Sequence, residues 1–369
     1  MKIGIITMHR VKNIGSVLQA YATQRAFEKL GYDSELVDYM YAPTKKLTVG
    51  TVVSTMQSFV LNILLGFPMQ KYRKRLQSFF DRYFKCSPKS YNQDTILKNP
   101  PQYDIYCTGS DQVWNPRYID KDITFMLGFA PKEAKRIAYA SSFATDNVPS
   151  EYESLYSEHL SKYNSISVRE QSGVDISRHL TRKEAKLVCD PTLLLDAHEW
   201  DKISESSEVH IDKPYILVYF LGYMFDPRPH LFDIVNDVQQ KLGLPVYYIN
   251  GGHQEMKQPN SKVLRGLGPA EFIELIRNAT FLVTDSFHGT AFATIYNIPM
   301  IGVVKSSNSG DDRIGTLRKK VQGCKSIVQY DTYDKSFIAN NIDNYKCNPK
   351  SVKNFREESL LVIKQMVED

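Results

Sequence analysis

Short apolar runs alternate with amphipathic stretches along most of this chain. Ile3–Met8 is a continuous apolar run of the kind found in buried parallel strands. The apolar positions of the next stretch, from Val17 to Leu30, recur at helical spacing, and Ser16 is the predicted N-cap. Ser34–Tyr39 then predicts a second strand, so the first forty residues are expected to form one strand–helix–strand unit.

The same alternation continues in two series separated by a break near residues 190–212. Strand candidates in the second series include Tyr215–Leu221, Phe281–Thr284 and Met300–Val304, with a helix predicted over Gly289–Tyr296. Strands that alternate with helices indicate parallel sheets. We therefore predict an α/β protein of two doubly wound domains that face a cleft: an N-terminal domain over 1–190, a C-terminal domain over 191–349, and a last helix over 350–369 that could cross back onto the first domain.

Residues 49–99 interrupt the first series and are predicted to be a helical insertion. Val49–Met69 is the most membrane-like segment, but Gln57, Ser58 and Asn62 break its apolar run, so a spanning helix is not expected. Lys71-Tyr-Arg-Lys-Arg75 is basic. It predicts a solvated helix face, with a peripheral membrane contact through residues 49–75 as the alternative.

Composition narrows the class of protein. The 369 residues suit two domains, and the net charge of +5 comes without the long basic tract of a nucleic-acid-binding protein. The five cysteines are widely spaced and contain no CxxC pair, which argues against a disulfide framework or zinc site and favours a reducing cytoplasm. The 23 tyrosines suit a carbohydrate-handling surface, although tyrosine is also an ordinary core residue.

The strongest candidate site is Thr284-Asp-Ser-Phe-His-Gly-Thr290, which follows a predicted strand and opens a predicted helix. Ligands of open parallel sheets bind beyond the carboxyl ends of the strands, and a helix N-terminus favours anions. His288 can transfer a proton near neutral pH. In the simpler alternative, Ser286 and Thr290 cap the helix and His288 only fills space.

Three cationic side chains also follow predicted strands of the two series. Arg169 follows Ser165–Val168, Lys305 follows Met300–Val304, and Arg313 lies shortly beyond. A guanidinium can hold a carboxylate or phosphate with two hydrogen bonds. Each arginine could instead form an ion pair with a neighbour, Arg169 with Glu170 and Arg313 with its preceding aspartates.

The first domain offers a second group of candidates at strand ends. Asn13–Ser16 lies between a strand and a helix N-terminus but is too short for a nucleotide fingerprint, and neither GxGxxG nor a P-loop occurs. Asp111 could bind sugar hydroxyls or act as a base, and Trp114 could stack on a sugar ring. His9 also sits at a strand end. The alternative for these residues is a turn-capping Asp and core side chains.

Several of these segments together resemble one family. The segments are Asn13-Ile-Gly-Ser-Val-Leu-Gln-Ala-Tyr21, Gly109-Ser-Asp-Gln-Val-Trp-Asn-Pro116, Ser167-Val-Arg-Glu170, Asp190-Pro-Thr-Leu-Leu194 and Asp285-Ser-Phe-His-Gly-Thr290. In type and order they resemble the motifs of the polysaccharide pyruvyl transferases. The resemblance implies a GT-B-like pair of Rossmann-like domains, phosphoenolpyruvate held mainly by the second domain, and a sugar or lipid-linked saccharide acceptor facing the first.

That resemblance assigns roles to the candidates. We expect His288 as acid/base, the Gly289 and Thr290 amides with Ser286 as an anion seat, and Arg169 and Arg313, with Lys305, as donor contacts. Asp111 is expected as a second catalytic group, with His9, Asn13, Gly15, Ser16 and Trp114 on the acceptor side. No metal and no cofactor beyond the phosphoenolpyruvate co-substrate is expected.

One departure from the family pattern concerns the donor. Many members carry arginine and leucine before the histidine, where this chain has Ser286 and Phe287, so an anion contact is either missing or supplied by Arg313 or Lys305. The alternatives are a glycosyltransferase of the same architecture that uses a nucleotide sugar, and a non-catalytic member that binds glycan or acts as a scaffold.

Overall fold

The computed structural model describes residues 1–41, 67–222, 225–249, 258–305, 312–338 and 342–369. Two parallel six-stranded sheets, each flanked by helices, make up its core. This confirms the predicted α/β class with two doubly wound domains. No helix among the described residues has the length and apolar character needed to cross a membrane.

The first sheet has the strand order β2-β1-β3-β4-β5-β6. Its strands are β1 (Lys2–Ile6), β2 (Asp33–Leu36), β3 (Ile105–Thr108), β4 (Lys135–Ser141), β5 (Ser165–Val168) and β6 (Lys186–Leu187). The helices of this half are α1 (Ile14–Lys29), α2 (Pro68–Tyr83), α3 (Gln93–Lys98), α4 (Pro116–Ile119), α5 (Ser150–Leu160) and α6 (Gln171–Thr181). The strands are short and mostly buried along their whole length, as expected for a sheet covered on both faces.

The second sheet has the order β12-β11-β10-β7-β8-β9. Its strands are β7 (Ile216–Tyr219), β8 (Val246–Ile249), β9 (Ser261–Leu264), β10 (Phe281–Thr284), β11 (Met300–Val304) and β12 (Ile327–Gln329). The remaining helices are α7 (Ala197–Ser204), α8 (His230–Leu242), α9 (Pro269–Arg277), α10 (Phe287–Ile295), α11 (Arg313–Lys320) and α12 (Pro349–Glu368). Each sheet reverses its strand order beside its first strand, β1 or β7, which places the crevices for ligands there.

Two predicted helix starts are corrected. Helix α1 begins at Ile14, because the side chain of Asn13 accepts the Ser16 N–H at 3.1 Å and is the N-cap, and Ser16 lies inside the first turn. Helix α10 begins at Phe287, two residues before the predicted start. Within the predicted insertion the described residues include the helices α2 and α3, and residues 49–66 lie outside the described residues.

The last helix crosses back onto the first domain, as the sequence pattern suggested. Phe355 and Ile363 of α12 are buried in the same apolar cluster as Ile3 and Ile137 of the first sheet. The Ser359 hydroxyl accepts the Cys189 N–H at 2.9 Å, which fixes the helix against the chain beyond β6. The exact domain boundaries at 190 and 349 stay a prediction.

An apolar interface joins the two halves. Leu18 and Ala22 of α1 lie in one buried cluster with Trp200 and Phe292 of the second half. Arg75 of α2 adds polar contacts, because its guanidinium donates to the Gly266 carbonyl at 2.6 Å and lies 3.1 Å from Glu271. Helices α1 and α2 therefore hold the second domain against the first.

Candidate active site

The N-termini of α1 and α10 meet between the two domains. A β-carbon built on Gly15 would lie only 2.2 Å from Nδ1 of His288, so the imidazole rests directly on the backbone of Gly15. His288 is 7% exposed, and its Nε2 has no hydrogen-bond partner among the described residues. The histidine predicted as acid/base thus lies between the domains and is buried in this conformation.

A buried ionic cluster lies close to His288. Nη1 of Arg169 is 2.5 Å from an Asp190 carboxylate oxygen, and Nη2 is 3.4 Å from Asp111. The hydroxyl of Ser16 donates to Asp111, which joins α1 to the cluster. Asp190 also accepts the N–H and hydroxyl of Thr192 at 3.0 and 2.7 Å. The cluster therefore unites the ends of β1, β3, β5 and β6.

The charges in this cluster influence one another. Burial lowers the pKa of His288 below its ordinary value, although Asp190 and Asp111 act in the opposite direction. Burial works to raise the pKa of Asp111, but Arg169 and His288 outweigh it and hold that pKa low. The pKa of Asp190 is low for the same reasons. At neutral pH the histidine is therefore neutral and both carboxylates are ionised.

Phe287 brings two guanidinium groups together at the start of α10. Arg169 lies 4.5 Å and Arg313 5.8 Å from the centre of its ring, distances at which a cation is attracted to an aromatic face. Arg313, the first residue of α11, is buried and adds its positive charge near His288. A second guanidinium, from another helix, therefore lies beside the first residue of α10.

The predicted anion seat needs a correction. The Gly289 N–H already donates to the Ser286 hydroxyl at 3.2 Å, and the Thr290 N–H to the Ser286 carbonyl at 3.0 Å, so neither is available. The N–H groups of Phe287 and His288 form no hydrogen bond to another described residue. The unsatisfied donors of this helix terminus therefore lie two residues earlier than expected.

Glu170 does not form the ion pair that the sequence allowed with Arg169. One of its carboxylate oxygens accepts the Phe143 N–H at 2.7 Å, and the other has no partner among the described residues. Burial raises the pKa of Glu170 to about 7, although Arg169 and Arg313 act against this. Glu170 is therefore a buried carboxyl beside the cluster that changes charge near neutral pH.

Two acceptor-side predictions are corrected because both side chains are buried in the first domain. Trp114 is fully buried, and its indole N–H donates to the Phe125 carbonyl at 3.1 Å, so its ring offers no face to a sugar. His9 is buried against Phe80 and Phe84, with Nε2 3.4 Å from Asp38. Of the acceptor set, Gly15 and Ser16 reach the cluster, and the Asn13 side chain is used as a helix cap.

His9, Asp38 and Cys86 place possible metal-ligand atoms within 4.8 Å of one another. The carboxylate of Asp38, however, accepts two hydrogen bonds from Arg10, at 2.6 and 2.7 Å, and one from Ser90. These bonds hold the pKa of Asp38 low against the effect of burial. A guanidinium thus already occupies the position that a cation would take.

Lys305 is the remaining predicted donor contact. Lys305 is exposed directly after β11, next to residues outside the described ranges.

Sequence reasoning assigned no role to Asp190 or Phe287, which the structure places at the centre of the cluster. Asp190 could have been found, since it follows a strand just as Arg169 does. The role of Phe287 depends on α11, which lies far away in sequence.

The sequence profile of the polysaccharide pyruvyl transferase family matches residues 13–307, which include Ser16, Asp111, Arg169, Asp190 and His288, whereas Arg313 lies beyond the match. The chain belongs to the polysaccharide pyruvyl transferase family. Membership supports a transferase that acts in polysaccharide biosynthesis. No curated protein is significantly similar to this chain in sequence.

Solved structures of low sequence identity share the fold. UDP-GlcNAc 2-epimerase from Neisseria meningitidis matches over 100% of both chains with a TM-score of 0.59 and 8% identity. The enzyme from Methanocaldococcus jannaschii also matches over 100% of both chains, with a TM-score of 0.53 and 14% identity. The enzyme from Rickettsia bellii covers 100% of this chain and 96% of its own, with a TM-score of 0.55 and 10% identity. These likenesses establish the two-domain architecture.

Proposed function

We propose that this protein transfers the pyruvyl group of phosphoenolpyruvate onto sugar hydroxyls and forms a pyruvate ketal during polysaccharide biosynthesis. The observation that carries the proposal is the surroundings of His288. Nε2 of His288 has no hydrogen-bond partner among the described residues, and the ring of the preceding Phe287 lies near the guanidinium groups of Arg169 and Arg313. The backbone N–H groups of Phe287 and His288 form no hydrogen bond to another described residue. A small dianion with a carboxylate and a phosphate matches that set of donors.

His288 and the two arginines have different roles in the proposed reaction. The first sugar hydroxyl bonds to C2 of phosphoenolpyruvate while its proton passes through neutral His288 to C3, so that no carbanion forms at C3. The C2–O bond to phosphate then breaks and phosphate leaves with the electron pair. The second sugar hydroxyl bonds to C2, and its proton passes through His288 to the departing phosphate. Two hydroxyls and one phosphoenolpyruvate thus give one ketal and one phosphate. Arg169 and Arg313 stabilise the carboxylate and phosphate charges throughout.

The buried position of His288 adds a conformational step. Because His288 is buried and packs against Gly15, we propose that the donor reaches Nε2 only after the N-termini of α1 and α10 move apart. The observed conformation then corresponds to a closed site, which excludes the water that would hydrolyse the donor. Ser16 and Asp111 lie on the α1 side of this opening, where they would orient the acceptor hydroxyls.

The deciding experiment combines the protein with phosphoenolpyruvate and a panel of pyranose acceptors. We expect mass spectrometry to show a gain of one ketal-linked pyruvyl unit, with one phosphate released per sugar. A parallel titration with UDP and GDP should show no tight binding. Tight nucleotide binding without phosphate release from phosphoenolpyruvate would replace the proposal with a nucleotide-sugar transferase.

We also propose that the protein works in the cytoplasm and that the start of α2 contacts an anionic membrane surface. Phe67 and Met69 expose apolar side chains there, followed by the exposed cations Lys71, Arg73 and Lys74. Sedimentation with phosphatidylglycerol vesicles should recover the protein, and vesicles of phosphatidylcholine should not. Replacing the three cations by glutamine should abolish recovery, and equal recovery of that variant would refute the contact.

A further inference from the structure

A cavity lies in the first domain, and no residue of the ionic cluster lines it. It has a volume of about 310 Å³ and is lined by residues 39–41, 92–94 and 118–122; we call it the tyrosine pocket. This volume falls at the lower end of the range typical of small-ligand sites. None of the roles assigned above uses these residues.

Aromatic rings form one wall of the tyrosine pocket. Tyr41 and Tyr118 are partly exposed, and the Tyr41 hydroxyl donates to the Tyr118 carbonyl. Tyr39 is buried behind them and donates to Asp122 at 2.6 Å. These bonds hold the rings of Tyr39 and Tyr41 in place before any ligand arrives, which reduces the ordering cost of binding. Fixed rings with partly exposed faces suit the apolar C–H face of a sugar.

The rim of the tyrosine pocket is polar. The side chains of Gln93, Asp94 and Lys121 are exposed and form no hydrogen bond or ion pair with another described residue. An amide, a carboxylate and an ammonium offer both donors and acceptors to neighbouring hydroxyls. The pocket holds three carboxylates and one ammonium, so its charge disfavours phosphate and carboxylate ligands such as the donor.

The position of the tyrosine pocket relates it to the candidate active site. Tyr39 and Tyr41 follow the carboxyl end of β2, and Tyr118 follows that of β3, so the pocket opens on the same sheet edge as Asp111. Tyr118 lies seven positions after Asp111 in the sequence, which corresponds to roughly 25 Å at most for an extended chain. An oligosaccharide with one end near Asp111 could therefore extend into the pocket.

We propose that the tyrosine pocket binds a neutral oligosaccharide, namely the part of the acceptor glycan remote from the hydroxyls that receive the pyruvyl group. Identifying the bound oligosaccharide as the acceptor rests on the proposed function. Glycan binding itself does not require the transfer reaction. Binding and transfer are therefore tested separately.

The first test is titration of the full-length protein, without phosphoenolpyruvate, with neutral glucose, galactose and mannose oligomers from disaccharide to hexasaccharide. We expect calorimetry or saturation-transfer NMR to detect binding of at least one oligomer. Tyr118→Ala should weaken that binding by about tenfold or more, because the ring face is lost. Gln93→Ala and Asp94→Ala change exposed rim positions and should weaken it by a few fold without affecting folding.

The matched control is Tyr32→Ala. Tyr32 is also partly exposed but directly precedes β2, at the opposite edge of the sheet, so its loss should leave oligosaccharide affinity unchanged. Wild-type affinity in both Tyr118→Ala and Asp94→Ala, or the absence of binding by any oligomer, would overturn the inference.

Kinetics provide the second test. The Tyr118→Ala variant should raise the KM for long acceptors and leave kcat and the KM for monosaccharides unchanged. Loss of kcat with all acceptors would contradict a remote subsite. If wild-type protein binds oligosaccharide in the pocket but transfers no pyruvyl group, the proposed reaction fails and glycan binding stands. If transfer occurs and the pocket variants behave like wild type, the proposed reaction stands and glycan binding by the tyrosine pocket fails.

Discussion

The backbone of Gly15 and the imidazole of His288 are in direct contact across the boundary between the two domains. A β-carbon at position 15 would lie 2.2 Å from Nδ1 of the ring, closer than any real contact. Position 15 therefore requires glycine because a side chain has no room beside the imidazole, and not because of an unusual backbone angle. The contact sets the position of the ring relative to Ser16, which lies one residue further along α1 and hydrogen-bonds to Asp111.

Gly15→Ala should displace His288 and reduce pyruvyl transfer by about a hundredfold, because a shift of about 1 Å in a catalytic group has that order of effect. It should also lower the free energy of unfolding by about 1–3 kcal/mol, as overpacking does. Phosphate release and denaturant unfolding measure the two effects. Gly315→Ala is the control, since a β-carbon there meets nothing within 4 Å, and activity should stay unchanged.

His288→Ala should abolish phosphate release in the presence of acceptor while the far-UV spectrum and unfolding midpoint stay near those of the wild type. The wild-type rate should decrease as the pH falls below the lowered pKa of His288, because the imidazole becomes protonated and can no longer accept the hydroxyl proton. His210→Ala, at an exposed position, is the control. Turnover that persists in His288→Ala would remove this residue from the reaction.

Arg169→Ala should weaken phosphoenolpyruvate binding and also lower the free energy of unfolding by about 3–5 kcal/mol. The stability loss arises because Asp190 and Asp111 stay buried without their shared cation. Calorimetric titration with phosphoenolpyruvate and urea unfolding measure the two effects.

The double variant Arg169→Met with Asp190→Asn separates the two roles of Arg169. Removing charge from both partners should restore part of the stability, since a buried pair replaced as a whole costs far less than a broken one. Donor binding should stay weak, because the guanidinium is still absent. Wild-type donor affinity in either variant would show that Arg169 serves only as an ion-pair partner.

Asp285 should make stability depend on pH in the mildly acidic range. Burial raises its pKa to about 6, even though it accepts the N–H groups of Leu221 and Gly222 at 2.7 and 2.9 Å. The folded protein therefore keeps this proton to higher pH than the unfolded chain. The free energy of unfolding should fall by up to about 3 kcal/mol as the pH rises from about 4 to 6.

Asp285→Asn tests that dependence. The slope of the unfolding free energy against pH should become less negative over this range in the variant, when each protein is unfolded in urea at a series of pH values. Asp212→Asn, at an exposed position, should leave the slope unchanged. Identical slopes in the wild type and Asp285→Asn would show that this carboxyl ionises alike in the folded and unfolded states.

The sequence pattern predicted the architecture well, because buried parallel strands appear in a sequence as short apolar runs. The alternation of such runs with helices is enough to indicate parallel sheets. Runs such as Ile3–Met8 and Phe281–Thr284 proved to be strands of the two sheets. The strand-end rule also selected Asp111, Arg169 and His288, which the structure brings together.

Details that depend on packing could not be predicted in this way. Trp114 follows a strand end as Asp111 does, but its indole turns into the core, and a sequence pattern does not specify that direction. The anion seat was misplaced because the start of α10 was predicted two residues late, and helix ends are the least certain part of such predictions. The contact between Phe287 and Arg313 depends on how α10 and α11 pack.

The return of α12 to the first sheet has a consequence for synthesis on the ribosome. The apolar surface formed by Ile3 and Ile137 is covered by Phe355 and Ile363, which are translated more than two hundred residues after Ile137. The N-terminal half therefore cannot bury this surface while it emerges alone, and the nascent chain must remain exposed to chaperones or aggregation until α12 has been translated.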